Sequence, residues 1–283
     1  MLDLNKNLIG IYEKALPSHY TWEEKLSAAK KAGYDYVEMS IDESDERLYR
    51  LDWSVHERKE VVDAIRKTGI RIPTMCLSGH RRYPLGSEDD RIRQRALDIM
   101  RKAIILASDL GIRVIQLAGY DVYYDKSNDH TIERFEHGLE QSIQWASQAN
   151  VMLAMEVMDY EFMGSVEKIM HYVRKFQSPY FQIYPDLGNI SAWGNTLSTD
   201  LASGQGHIVA IHAKDTMPGE FRRVDFGTGC VDFIEGFRQL NQMTYKGPIL
   251  IEMWNDDKED FMAIITNARK WIMDKMQQAG MTV

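Results

Sequence analysis

Residues 151–158 read VMLAMEVM. A run of Val, Met, Leu and Ala reads as a buried strand, and a strand covered on both faces is apolar throughout. Glu156 breaks that rule at the end of the run. Burying a carboxylate costs several kcal/mol unless a cation or hydrogen bonds compensate it, so a positive partner is expected at the end of this strand. The pattern recurs in three later stretches: YFQIYPD (180–186) reaches Asp186, HIVAIHAKD (207–215) carries His212, and GPILIEMW (247–254) carries Glu252. Four apolar strands each deliver one metal-ligand type near the C-terminal end.

Working outward, strands are expected at 7–13, 34–40, 70–78, 112–119, 151–158, 180–184, 208–214 and 248–254. Helices alternate with them at 21–32, 54–68, 88–110, 131–149, 165–176, 199–204, 232–243 and 259–278. The first helix has Thr21 as N-cap, Glu24 three residues later and Gly33 as its stop. Longer loops run over 79–87 and 215–231. Strict alternation implies parallel βαβ units, and eight of them favour an α/β fold closed as a single (β/α)8 TIM barrel. No GxGxxG follows the first strand, which disfavours a dinucleotide-binding sheet. With no Pro/Ser-rich linker, residues 1–283 are expected to form one catalytic domain. Chemistry in such a barrel gathers at the C-terminal strand ends, where Glu156, Asp186, His212 and Glu252 fall.

Composition narrows the function classes. The 283 residues are 44% hydrophobic, enough for a large core, and no stretch of 18 apolar residues occurs. The start MLDLNKNLIGIYEK lacks the features of a signal peptide, so a cytoplasmic protein without membrane partners is expected. Two cysteines, Cys76 and Cys230, fit a reducing compartment and offer no disulfide framework. A net charge of −8 argues against nucleic-acid partners.

Two Glu, one Asp and one His suit a divalent ion such as Mn, Zn, Co or Mg, with positions left for substrate oxygens. The strings VEMSIDESDERLYRLDW (37–53), CLSGHRRYPLGSEDD (76–90), YPDLGNISAW (184–193), FGTGCVDF (226–233) and LIEMW (250–254) resemble the L-ribulose-5-phosphate 3-epimerases of the xylose isomerase-like barrels. GIYEKALP (10–17) and IQLAGYDVYY (115–124) extend the resemblance over the whole chain. It implies a metal-dependent epimerase that interconverts L-xylulose 5-phosphate and L-ribulose 5-phosphate by removing and returning the C3 proton through an enediolate, in bacterial L-ascorbate and pentose use. It implies that Glu156 and Glu252 act as the acid/base pair while also ligating the metal with Asp186 and His212, and it suggests a homodimer.

The wider superfamily of free-ketose epimerases carries His three residues after the metal-binding Asp, where this chain has Asn189. An amide still meets a sugar hydroxyl or carbonyl, but it cannot become an imidazolium, so polarisation of the ketone falls to the metal, Lys214 or another group. Among cations near strand ends, His80 and Arg81 are the preferred phosphate contacts, ahead of the amides of Gly227–Gly229. Glu38 ends the second strand and either meets substrate or caps a loop. The competing readings are a free-ketose epimerase or aldose–ketose isomerase, a metal-dependent endonuclease, and a sugar-binding barrel without activity. The endonuclease would need further His ligands and a basic surface.

Overall fold

A computed structural model of the chain describes residues 6–255 and 258–282. Its first seven strands are β1 (Ile9–Tyr12), β2 (Tyr36–Ile41), β3 (Arg71–Leu77), β4 (Val114–Ala118), β5 (Met152–Glu156), β6 (Phe181–Tyr184) and β7 (Ile211–Ala213). A hairpin of β8 (Asp215–Met217) and β9 (Glu220–Val224) follows, then β10 (Ile249–Ile251). Strands β1–β7 and β10 pair in parallel in the order β6-β5-β4-β3-β2-β1-β10-β7. Bridges Ile183–Ile208 and Asp186–His212 bring β7 back to β6 and close the cylinder. The fold is the expected (β/α)8 barrel.

The outer helices are α1 (Trp22–Lys31), α2 (Asp45–Tyr49), α3 (Val55–Thr68), α4 (Asp90–Leu110), α5 (Asp129–Ala149), α6 (Val166–Phe176), α7 (Leu187–Ala192), α8 (Leu197–Ser203), α9 (Phe233–Gln242) and α10 (Phe261–Gln278). Local signals fix their ends. Thr21 and Glu24 form a reciprocal capping box on α1, and Ser54 and Glu57 do the same on α3. Gly69 and Gly111 terminate α3 and α4 with φ of 76° and 74°, a conformation that favours glycine. Apolar faces such as Ile99, Ala103 and Ala107 of α4 bury against the outer face of the sheet.

Three short elements depart from the sequence reading. The hairpin β8–β9 occupies part of the expected 215–231 loop, turning through Pro218 and Gly219, the latter at φ 80°. Its strands are short and largely polar, so the periodic apolar signal is missing, although the Pro-Gly pair marks a turn. Helix α7 lies directly after Asp186, and α2 follows the N-cap Ser44 with Asp45 and Glu46 in its first turn. Both are too short to show a helical period.

Inside the barrel, residues of one parity point to the axis. Ala154, Tyr184 and Ala210 pack together beneath Glu156 and His212, as the alternation predicts. Gly10 is required here: a Cβ at this position would lie 2.2 Å from the ring of Tyr36, its register partner on β2. Just beyond β1, Glu13 is fully buried and binds three cations. Its carboxylate lies 3.0 Å from Lys25 Nζ and 2.7 Å from Arg50 Nη1, pairs with Arg47, and accepts the Ser40 amide at 2.9 Å. This knot ties the end of β1 to the end of β2 and to α1 and α2.

Candidate active site

The four strand-end residues converge. One ligand atom from each of Glu156, Asp186, His212 and Glu252 lies within 4.8 Å of the others, and all four side chains are buried. Glu156 is the last residue of β5 and His212 the middle of β7, while Asp186 and Glu252 stand just past β6 and β10. His212 Nδ1 is 2.7 Å from Glu156 Oε1, 3.9 Å from Asp186 Oδ2 and 3.8 Å from Glu252 Oε2. Asp186 divides its work: Oδ1 accepts the Asn189 amide at 3.0 Å and caps α7, which leaves Oδ2 for the centre.

The donor set fits a divalent ion. Asp186 Oδ2 and Glu252 Oε2 are buried without an aligned hydrogen-bond donor. Lys214 Nζ approaches each to 2.8 Å, which supplies charge but not hydrogen-bond alignment. Three carboxylates and an imidazole around one point form a borderline N/O set, the kind that Mn, Zn, Co or Mg accepts.

The two glutamates differ in proton affinity. Burial pushes Glu156 up to about 8, aided by the charges of Glu252 and Asp186 and opposed by His212. Burial pushes Glu252 up too, but Lys214 and His212 outweigh it and hold the carboxyl at about 2. Lys214 is held well above its ordinary value because Asp186 and Glu252 outweigh the burial of its ammonium.

The pocket above this centre is walled by Tyr12, Lys14, Cys76, Arg81, Asn189 and Trp254. Asn189 donates to Val157 O at 2.6 Å, and its Oδ1 is buried without a partner. Arg81 lies over the rings of Tyr120 and Tyr123 and donates to the Tyr120 hydroxyl at 2.8 Å. That hydroxyl donates to Asp159 at 2.7 Å, and Asp159 pairs with Arg222 of β9. The hairpin is thereby held over the barrel mouth.

Two sequence expectations, on His80 and Glu38, are corrected, and the less favoured one on Gly227–Gly229 is set aside. His80 does not reach the pocket: its Nε2 lies 3.1 Å from Ala96 O on α4, and burial pushes its imidazole down to about 4, so it is neutral at pH 7. Glu38 neither meets the pocket nor caps a loop; it is buried beneath the centre, against His212 and Tyr184. The amides of Gly227 and Gly229 already donate to Asp215 Oδ2 at 2.8 and 3.0 Å. Asp215 Oδ1 also accepts the Thr216 amide at 3.0 Å, so one carboxylate organises the whole turn. Replacing it by Asp215→Ala strands these donors, and denaturant unfolding should show a loss of about 1–3 kcal/mol. An unchanged midpoint would remove Asp215 from that role.

Sequence reasoning missed Gln116, which sits on β4 and donates to Glu156 Oε2. A single amide within the apolar IQLA of residues 115–118 was the available signal. It missed Asp159 because its partners, Tyr120 and Arg222, come from distant loops.

A family model described as the xylose isomerase-like TIM barrel matches residues 26–276. The L-ribulose-5-phosphate 3-epimerase UlaE of Escherichia coli O1:K1 is 56% identical over 273 residues, covering 96% of both chains. The Escherichia fergusonii enzyme of the same name is 55% identical over the same share. Among solved structures, D-allulose 3-epimerase from Methylomonas sp., crystallised with D-allulose, superposes with a TM-score of 0.80 at 16% identity, over 96% of this chain and 98% of that one. An L-ribulose 3-epimerase superposes at 0.79 with 18% identity, over 97% and 96% of the two chains; at these identities the likeness speaks for the fold. A chain that shares more than half its residues with these enzymes over nearly its whole length belongs to the xylose isomerase-like TIM barrel family and, within it, to the L-ribulose-5-phosphate 3-epimerases.

Proposed function

We propose that this epimerase interconverts L-ribulose 5-phosphate and L-xylulose 5-phosphate by proton removal and return at C3, with Glu156 and Glu252 as the two proton-transfer groups. The observation that carries the reading is that both carboxyls open onto one pocket, Glu156 from the end of β5 and Glu252 from just past β10. Inversion requires each to address one face of the same carbon.

Glu156, Asp186, His212 and Glu252 are the residues that would hold the divalent ion. When bound, the ion supplies Lewis-acid polarisation of the ketone, which acidifies the neighbouring C–H. Lys214 contributes a fixed positive charge between Asp186 and Glu252, suited to the oxyanion of the enediolate. Asn189 offers its unpartnered Oδ1 to a sugar hydroxyl. Tyr12 and Trp254 pack edge to face, with centroids 6.2 Å apart, and exclude water from one side. Lys14 and Arg81 line the same pocket and offer positive charge to the phosphate end.

The same reading takes residues 1–283 as one catalytic unit that works as a homodimer in the cytoplasm, in L-ascorbate or pentose catabolism. No helix among the described residues is long and apolar enough to cross a membrane. Incubating metal-loaded enzyme with L-xylulose 5-phosphate in D2O should yield L-ribulose 5-phosphate with deuterium at C3, followed by proton NMR, and chelation should abolish both product and exchange. Turnover of the unphosphorylated ketose at a comparable kcat/KM would instead support a free-ketose epimerase.

A further inference from the structure

Glu38 lies outside the four-residue centre yet is bonded to it. It is 0% exposed, its Oε1 is 2.9 Å from His212 Nε2, and its Oε2 accepts the Tyr184 hydroxyl at 2.9 Å. Strands β1 and β10 separate β2 from β7 in the sheet, so this contact crosses the barrel interior rather than joining neighbours. The ring of Tyr184 packs on His212 with centroids 4.6 Å apart and planes at 60°. His212 is thus held at one nitrogen and on one face, and only Nδ1 is turned to Glu156, Asp186 and Glu252.

An imidazole that binds a metal through one nitrogen carries its proton on the other. A carboxylate accepts but does not donate, so one placed at Nε2 keeps a proton there when an ion takes Nδ1 in place of its 2.7 Å contact with Glu156 Oε1. Both oxygens of Glu38 are engaged, and its side chain is buried away from the pocket lining. We infer that Glu38, braced by Tyr184, is a positioning residue that fixes the tautomer and aim of His212 toward the divalent ion. The inference rests on the reading that the centre holds such an ion.

The test titrates Co²⁺ into metal-stripped full-length enzyme and follows affinity together with the visible absorption of the bound ion. Glu38→Gln should weaken Co²⁺ binding roughly 10–100-fold and shift the absorption bands, because an amide can either accept from Nε2–H or donate to bare Nε2. In 15N-histidine-labelled protein loaded with Zn²⁺, wild type should show the His212 Nε2–H proton shifted strongly downfield by its bond to the carboxylate, and Glu38→Gln should show it shifted less. Tyr184→Phe keeps the carboxylate and should give a smaller loss with the same sign, which carries the test if Glu38→Gln does not fold. Wild-type Co²⁺ affinity and spectrum in a folded Glu38→Gln or Tyr184→Phe protein would overturn the inference. No Co²⁺ binding by wild type at all would overturn the metal reading itself, a different result.

Discussion

Glu156→Gln and Glu252→Gln should each lower C3 epimerisation by about 10³-fold or more while leaving the fold intact. General acid–base catalysis accounts for roughly 10²–10⁴ in rate, and each substitution also removes a charge from the ligand set. A 10³-fold loss corresponds to about 4 kcal/mol of transition-state stabilisation. The two variants should fail differently. Epimerisation needs a proton removed on one face and returned on the other, so a single surviving glutamate can still exchange the proton it faces without inverting the carbon. In D2O, Glu156→Gln should place deuterium at C3 of one epimer, and Glu252→Gln at C3 of the other. Gln keeps a neutral oxygen ligand of the same shape, and metal content measured alongside separates lost chemistry from a lost ion. Near wild-type turnover in either variant would remove that residue from proton transfer. Exchange into both epimers by a single variant would point to one mobile base instead of a pair.

The second large effect lies outside the pocket. Glu13→Gln should destabilise the enzyme by about 3–5 kcal/mol, since it leaves Lys25, Arg47 and Arg50 buried around a neutral amide. Thermal unfolding should fall by roughly 10 °C. Burial raises the Glu13 carboxyl, but Arg50, Lys25 and Arg47 outweigh it and hold it well below the usual carboxylate range. A depressed folded-state value stabilises fully above the unfolded carboxylate value of about 4.3, and that contribution is lost as pH falls through the folded value. Wild type should therefore keep this contribution at pH 5 and shed it only in stronger acid, whereas Glu13→Gln should show the deficit already at pH 7. Arg82, paired with Asp45 on the surface, is the control: Arg82→Gln should leave the unfolding midpoint nearly unchanged. A Glu13→Gln protein as stable as the Arg82→Gln control would show that the knot is not a stability element.

The four residues of the buried centre were legible because each breaks a local rule. Glu156, Asp186, His212 and Glu252 interrupt or end apolar strands, and a polar residue there needs a reason that one strand can reveal. Roles that depend on a partner were not legible. His80 and Arg81 are adjacent cations in one loop, yet His80 turns onto α4 and Arg81 onto two tyrosines of the pocket wall. Gly227–Gly229 has the form of an anion-binding turn, and the anion that fills it is the chain's own Asp215.

The sequence by itself determined the eightfold alternation, the helix ends and the four residues at the strand ends, because caps, glycine stops and apolar periodicity act over a few residues. Only the tertiary structure decided which groups those residues answer to. Closing the barrel sets Glu38 against His212 from 174 positions away, and Tyr184 against Glu38 from 146. Tautomer, proton affinity and buried charge follow from distances across the barrel interior, and no local pattern in the chain encodes those distances.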